Sequence, residues 1–239
     1  MKDKIFIPVI CYNHTANTEF MMSLIKLTHY LRDEQIEYCL FPIVFESLIP
    51  RARNAAAAHF LDSDCTHLFF IDADIDFDPK SVLKLLRHNK PVIAGVYPKK
   101  YYVWNRVNTG EEIVDYPFGG EVHFNQDGLI ETAYLPTGFL MIKREVFTNI
   151  ASNKPELKYK NDIDGYGQID TFYNFFRSGV HNGIYESEDW GFCSIWRELG
   201  GKVFIDPTIK LGHIGWSRFS GNPLKWCQEA VSRYAQENP

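Results

Sequence analysis

Between Lys4 and Tyr97 the chain alternates short apolar runs with segments of helical periodicity, and this alternation constrains the fold more than any other feature. KIFIPVI reads as a strand. NTEFMMSLIKLTHYLRDEQ reads as a helix capped by Asn17 or Thr18, with an apolar stripe at Met21, Leu24, Ile25, Thr28 and Leu31. YCLFPIVF is a second strand, which Pro42 assigns to a sheet edge or a bulge because proline lacks a ladder N–H. PRARNAAAAHFL is a helix opened by Pro50 and filled with the best helix former. HLFFI is a buried strand, DPKSVLKLLRHNK a helix with Asp78 at its N-cap, and PVIAGVY a fourth strand. Such an order implies an α/β fold with a mainly parallel sheet flanked by helices, and ligands on such sheets sit beyond the carboxyl ends of the strands.

The second half reads differently. EVHFNQDGLIETAYL carries the turn Asn125-Gln126-Asp127-Gly128 between two extended runs, a hairpin and so a small antiparallel addition. PTGFLMIKREVF adds a strand and a short helix. Residues 153–187 are polar, glycine-rich and aromatic without clear periodicity, as lids and binding walls are. SEDWGFCSIWRELGG is a helix capped by Ser187 and closed by Gly200-Gly201, KVFIDPTIKLGHIGW a strand pair, and residues 223–237 a last helix. The expectation is one domain over 1–239. It comprises a nucleotide-binding half (1–110), an acceptor-side half (111–215) and a helical tail (216–239).

Composition narrows the partners. A net charge of −5 disfavours a non-specific nucleic-acid binder. Five scattered cysteines without a CxxC pair fit a reduced, cytoplasmic protein with buried thiols. No segment approaches the ~20 apolar residues of a membrane span.

HLFFI ends in a row of aspartates at 72, 74, 76 and 78. On a continued strand all four would lean to one side, neighbours about 7 Å apart, which like charges tolerate only if solvated, protonated or neutralised. Asp78 caps a helix and Asp76 reads as a half-solvated turn residue. Asp72 and Asp74 flank Ala73 and could share a divalent cation, Mg²⁺ or Mn²⁺. Arg51 and Arg53 precede this strand, and Lys99 and Lys100 follow the next one. An acidic pair able to hold a metal, flanked by cations, is what a metal-bound diphosphate requires. A solvated, aspartate-rich turn with ordinary surface cations is the competing account.

Taken together, PRARN, HLFFIDADIDFDP, AGVYPKK, PTGFLMIKREVF and ESEDWGFCSIWRELGGKVFIDPTIKLGHIG resemble the GT-A fold glycosyltransferases, in particular small ones of viral and bacterial origin. The front part is also similar to fungal mannan-synthesising mannosyltransferases, in an R-x-R-N helix (Arg51, Arg53, Asn54) followed by D-x-D. The resemblance runs from about Ile5 to Gly215. It implies a nucleotide-sugar transferase with UDP- or GDP-linked donors, glycan or glycoprotein acceptors, and Mn²⁺ or Mg²⁺ as cofactor. It implies Asp74 as direct metal ligand, Asp72 on the ribose or a metal-bound water, and His213 completing the metal site. It implies Asp189 as general base with Glu188 beside it, and Thr137 and Gly138 near donor sugar or acceptor. The D-G/D-S loop of family 2 enzymes is replaced by FESLIP, so nucleobase recognition does not carry over.

Bland roles compete with these. Two acids at a helix start are favourable through the helix dipole alone, and His213 between Gly212 and Gly215 could simply be packed. Tyr97, Trp104, Tyr166, Trp190 and Trp216 include one or two candidate sugar platforms, whereas Met21, Met22 and Met141 read as core. The alternatives are a non-catalytic nucleotide-sugar-binding module and a D-x-D phosphatase. The phosphatase nucleophile would normally follow the first strand rather than the third.

Overall fold

The computed structural model describes residues 2–119, 122–162 and 169–237. Its first half runs β1 (Lys4–Cys11), α1 (Thr18–Asp33), β2 (Glu37–Val44), α2 (Ile49–Asp62), β3 (His67–Ile71), β4 (Ile75–Asp76), α3 (Pro79–His88) and β5 (Val92–Ala94). There follow β6 (His123–Phe124), β7 (Ile130–Thr132), β8 (Phe139–Lys143), α4 (Arg144–Asn153), β9 (Gly179–His181) and β10 (Ile184–Glu186). The chain closes with α5 (Glu188–Glu198), β11 (Val203–Ile205), β12 (Gly212–Ile214), β13 (Arg218–Ser220) and α6 (Pro223–Glu237).

Eight strands among the described residues form one sheet in the order β2-β1-β3-β8-β5-β11-β7-β6. β1 pairs in parallel with β2 and β3, and β5 with β11. β8 runs antiparallel between β3 and β5, and β7 antiparallel beside β11. Only β7 and β8 run against the other six strands, so the sheet is mixed and mostly parallel in strand direction, the α/β class expected. β2 lies at the edge, so Pro42 interrupts no interior ladder. The antiparallel hairpin β6–β7 turns at Asn125, whose Oδ1 accepts from the N–H groups of Asp127 and Leu129.

Two hydrophobic layers cover the sheet. α1 and α3 pack Leu27, Leu31, Val82 and Leu85 on one face. The alanines of α2, with Phe147 of α4 and Phe192 of α5, pack on the other. Small alanines let α2 lie close to β1 and β3, with no Ala55–Ala58 surface left exposed. Because α1 and α2 lie on opposite faces, the chain reverses direction between β1 and β3, which opens a crevice at their carboxyl ends.

Several local expectations shift. α1 buries Phe20, Ser23, Leu24, Leu27 and Leu31, while Met21, Met22 and Ile25 face outward at 42%, 49% and 45% exposure. The buried serine explains the offset: Ser23 Oγ bonds Asp76 and accepts from the Phe77 N–H, so a polar residue sits on the inner face. Met141 is core as expected. α2 begins one residue early, at Ile49, with Pro50 in its first turn. Asp78 caps α3, accepting from the Lys80 N–H at 2.9 Å. β11 and β12 do not pair: β11 joins the large sheet, and β12 lies between β13 and β4 in a separate three-stranded sheet. All five cysteines are free. No described helix is long and apolar enough to cross a membrane.

Candidate functional site

The aspartate row does not continue the strand. β3 stops at Ile71, residues 72–74 turn, and β4 resumes at Ile75, so the four carboxylates diverge. Asp76 is no solvated turn residue: it lies in β4 and is held by Arg218 at 2.6 Å. Asp72 and Asp74 remain at the rim of an open cleft of about 740 Å³. The cleft is bounded by the ends of β1 and β2 (Cys11, Tyr12, Glu46, Ser47), by Arg53 of α2 and by Glu188 of α5. It coincides with the crevice that the strand order creates.

Arg53 is the hub of the inner wall. It is 3% exposed, lies over the Phe70 ring at 5.2 Å, and donates to Asp72 Oδ1 at 3.0 Å and Glu188 Oε1 at 3.4 Å. Its Nη1 is buried without a hydrogen-bond partner among the described residues. Burial alone would lower the guanidinium pKa, and the charges of Asp72 and Glu188 more than restore it. Asp72 gains its position from Gly138: the Asp72 N–H donates to the Gly138 carbonyl at 3.0 Å, and a Cβ at 138 would meet Asp72 Oδ2 and the Tyr97 ring, both at 2.6 Å. Only glycine fits between them. Thr137 is buried beside it, at 2% exposure.

Asp74 faces the other way. Its Oδ2 lies 2.5 Å from Lys100 Nζ and 3.5 Å from His213 Nε2. Burial pushes the carboxyl pKa up, but hydrogen bonds from His213 and Lys100 outweigh it and hold Asp74 below the usual carboxylate range. His213 Nδ1 is 2.8 Å from the Pro98 carbonyl, an acceptor that demands a hydrogen on Nδ1. The other ring nitrogen, Nε2, faces the Asp74 carboxylate, and histidines that ligate metals are held by a carbonyl in this way. A carboxylate oxygen and an imidazole nitrogen are groups that could hold Mn²⁺ or Mg²⁺, and Asp74 with His213 is the pair here that could do so. Asp72, engaged by Arg53, stands apart, and no group of three or more His, Cys, Asp or Glu among the described residues is clustered for a metal.

Glu188 and Asp189 open α5. Ser187 holds the N-cap position without capping through its side chain; its hydroxyl donates to Asp189 Oδ1, which also accepts from the Trp190 N–H at 2.8 Å. Asp189 Oδ2 makes no hydrogen bond to a described residue. The negative charge of Asp189 acts on Tyr97, whose hydroxyl burial and Asp72 push well above the usual tyrosine range. Tyr97 in turn packs edge-on against His213 at 4.7 Å, which ties the two carboxylate groups and the histidine into one assembly.

Other expected residues lie apart from this centre. Arg51 donates to Glu46 at 2.5 and 2.7 Å. Both polar atoms of Asn54 bind the neighbouring loop: Oδ1 accepts from the Phe176 N–H at 2.9 Å and Nδ2 donates to Asn174 at 3.0 Å. The Lys99 N–H donates to the Asp115 carbonyl at 2.7 Å. Trp190 stacks on Tyr134 at 4.3 Å, and Tyr166 lies outside the described residues. Not anticipated from sequence is the mouth of the cleft. His14 and Phe45 both hold left-handed backbone, φ 59° and 60°, and meet edge to face at 4.1 Å, with Phe45 72% exposed beside exposed Tyr12. A bulky residue rarely accepts that conformation. Nothing in FESLIP announces it.

No protein-family model matches the chain, and no curated protein matches it in sequence. Solved structures do resemble it. A197 from STIV superposes with a TM-score of 0.50 at 20% identity, over 94% of this chain and 92% of that one. GalNAc-T7 with UDP, GalNAc and Mn²⁺ gives 0.46 at 11% identity, over 90% and 44%. A glycosyltransferase involved in glycosylation of the major capsid of PBCV-1 gives 0.32 at 9%, over 62% and 65%. The likeness to A197 is one of fold: a mostly parallel sheet between helices, with a small antiparallel sheet beside it.

Proposed function

We propose that this chain is a GT-A-type glycosyltransferase that moves a hexosyl group from a UDP- or GDP-sugar to a hydroxyl of a glycan or glycoprotein. The observation that carries the reading is the meeting, at one crevice, of Asp74, Asp72, Arg53 and Glu188 of α5, with His213 3.5 Å from Asp74. A divalent cation held by Asp74 and His213 would offset the charge that grows on the departing diphosphate. Lys100, already 2.5 Å from Asp74, adds a second positive charge on that side. Arg53 holds Asp72 by a hydrogen bond at the cleft, where the carboxylate can accept hydrogen bonds from ribose hydroxyls. Tyr12 and Phe45 offer exposed rings on which a nucleobase can stack.

Asp189 serves as the base. Ser187 and the Trp190 N–H hold its Oδ1, leaving Oδ2 to take the proton of the attacking hydroxyl. Glu188, anchored by Arg53, hydrogen-bonds sugar hydroxyls.

The test is release of free nucleotide from UDP-, GDP- and dTDP-sugars with Mn²⁺, with and without acceptors. Asp74→Asn is expected to abolish release. Asp189→Asn is expected to cut transfer by about a hundredfold or more. Full transfer activity in both variants would refute these roles. Tight nucleotide-sugar binding without turnover of any donor would favour the binding-module reading instead.

A further inference from the structure

Trp216 and Trp104 are the two most exposed large apolar side chains among the described residues, at 78% and 73%. Tryptophan is normally well buried, so two bare indoles in one patch need a reason. They are not loosely held. Both flank the Tyr102 ring, at 5.6 Å for Trp104 and 6.4 Å for Trp216, and the fully buried Phe219 supports Tyr102 at 5.0 Å and Trp216 at 5.1 Å. A packed aromatic base thus holds two outward rings.

The patch adjoins the cleft. Trp216 sits in the β12–β13 turn, three residues beyond His213. Gly215 before it lies against the Lys100 stem: a Cβ there would be 3.1 Å from Lys100 Cδ. The same lysine pairs with Asp74. We propose that Trp104 and Trp216 form the platform on which an acceptor oligosaccharide lies, a reading that rests on the glycosyl-transfer assignment above. The electron-rich face of an indole attracts the C–H edges of a pyranose ring. The surrounding polar groups, Tyr101 Oη, Asp115 and Arg106, form a hydrogen-bonding rim.

Charge argues against a lipid surface. Lys100, Arg106 and Arg218 around the patch are each paired, with Asp74, Asp115 and Asp76. These three leave little positive charge free to attract anionic headgroups.

The experiment titrates the full chain, without donor, with cellotetraose, chitotetraose, maltotetraose and mannotetraose, following tryptophan fluorescence and calorimetric heat. At least one should bind, and Trp216→Ala and Trp104→Ala should each weaken it at least about tenfold. Phenylalanine at either position should restore part of the affinity. Both side chains are exposed, so thermal melts should show each variant folded. Absence of binding by all four saccharides, or binding that neither alanine variant alters, overturns the proposal. So does tryptophan-dependent binding to phosphatidylserine vesicles in place of sugars. Metal-dependent donor turnover with no saccharide affinity would sink the platform alone. Tryptophan-dependent saccharide affinity with no donor turnover would sink the transferase reading while the platform stands.

Discussion

Two arginines sit near opposite ends of α2, and the contrast between them separates structure from function in this molecule. Arg144 lies at the amino end of the sheet over the Phe60 ring, at 4.5 Å. Its guanidinium donates to the carbonyls of Phe60, Leu61, Ser63 and Cys65, at 2.7 to 3.1 Å. Phe60 and Leu61 lie in the last turn of α2 and Ser63 and Cys65 just beyond it, so a cation there closes off the end of the helix. Arg53, near the start of the same helix, also lies over a phenylalanine. Yet its partners are two carboxylates at a cleft, and one of its nitrogens is orphaned. One arginine is saturated by backbone. The other is held by groups that a ligand can share.

Matched substitutions sharpen this. Arg53→Met should lower donor turnover by about a hundredfold or more. Its melting temperature should fall as well, because Asp72 and Glu188 lose the cation that pairs them, but turnover per folded molecule should fall far more. Arg144→Met should act on stability alone. Stranding the carbonyls of Leu61, Ser63 and Cys65 should cost about 3 kcal/mol, or roughly 6–12 °C in melting temperature, with turnover per folded molecule kept. Equal turnover per folded molecule in both would dissolve the contrast. Asn54→Ala should rank next. It strands the buried Phe176 N–H at a cost of about 1–3 kcal/mol, read from urea midpoints.

The smallest effect concerns His67, at the amino end of β3. Burial lowers its imidazole pKa below 6.5, opposed only by Asp3 and Glu145. The unfolded chain then takes a proton that the folded one refuses. Its contribution to stability is thus intact above about pH 6.5 and declines as pH falls below it. His67→Gln should flatten the fall in melting temperature from about pH 7 to pH 5, a difference of about 1 kcal/mol or less. An unchanged slope would show that His67 does not carry it.

Much of the fold was legible because its signals are local. HLFFI is buried on every residue, Asp78-Pro79 starts a helix by capping chemistry, and Asn125 closes a hairpin. What was illegible depends on distant partners. Ser23 faces inward only because Asp76 and Phe77 meet it there, which rotates the inner face of α1 away from Met21. The turn at 72–74 and the salt bridge from Arg218 divided a row of four acids into separate environments. At the site, the D-x-D pair and His213 could be named in advance. That Arg53 would bind Asp72, that Lys100 would reach Asp74, and that Gly138 makes room for the Asp72 carboxylate could not, since no periodicity encodes a contact across 19, 26 or 66 residues.

The antiparallel β8 has a consequence for synthesis. Because it fills the gap between β3 and β5, a nascent chain that has not yet emerged through Lys143 carries two raw strand edges facing each other. Such edges recruit other polypeptides. His213 emerges some seventy residues later still, so translation must deliver nearly the whole polypeptide before the crevice has all its walls, and a pause within that interval is when a chaperone would be needed most.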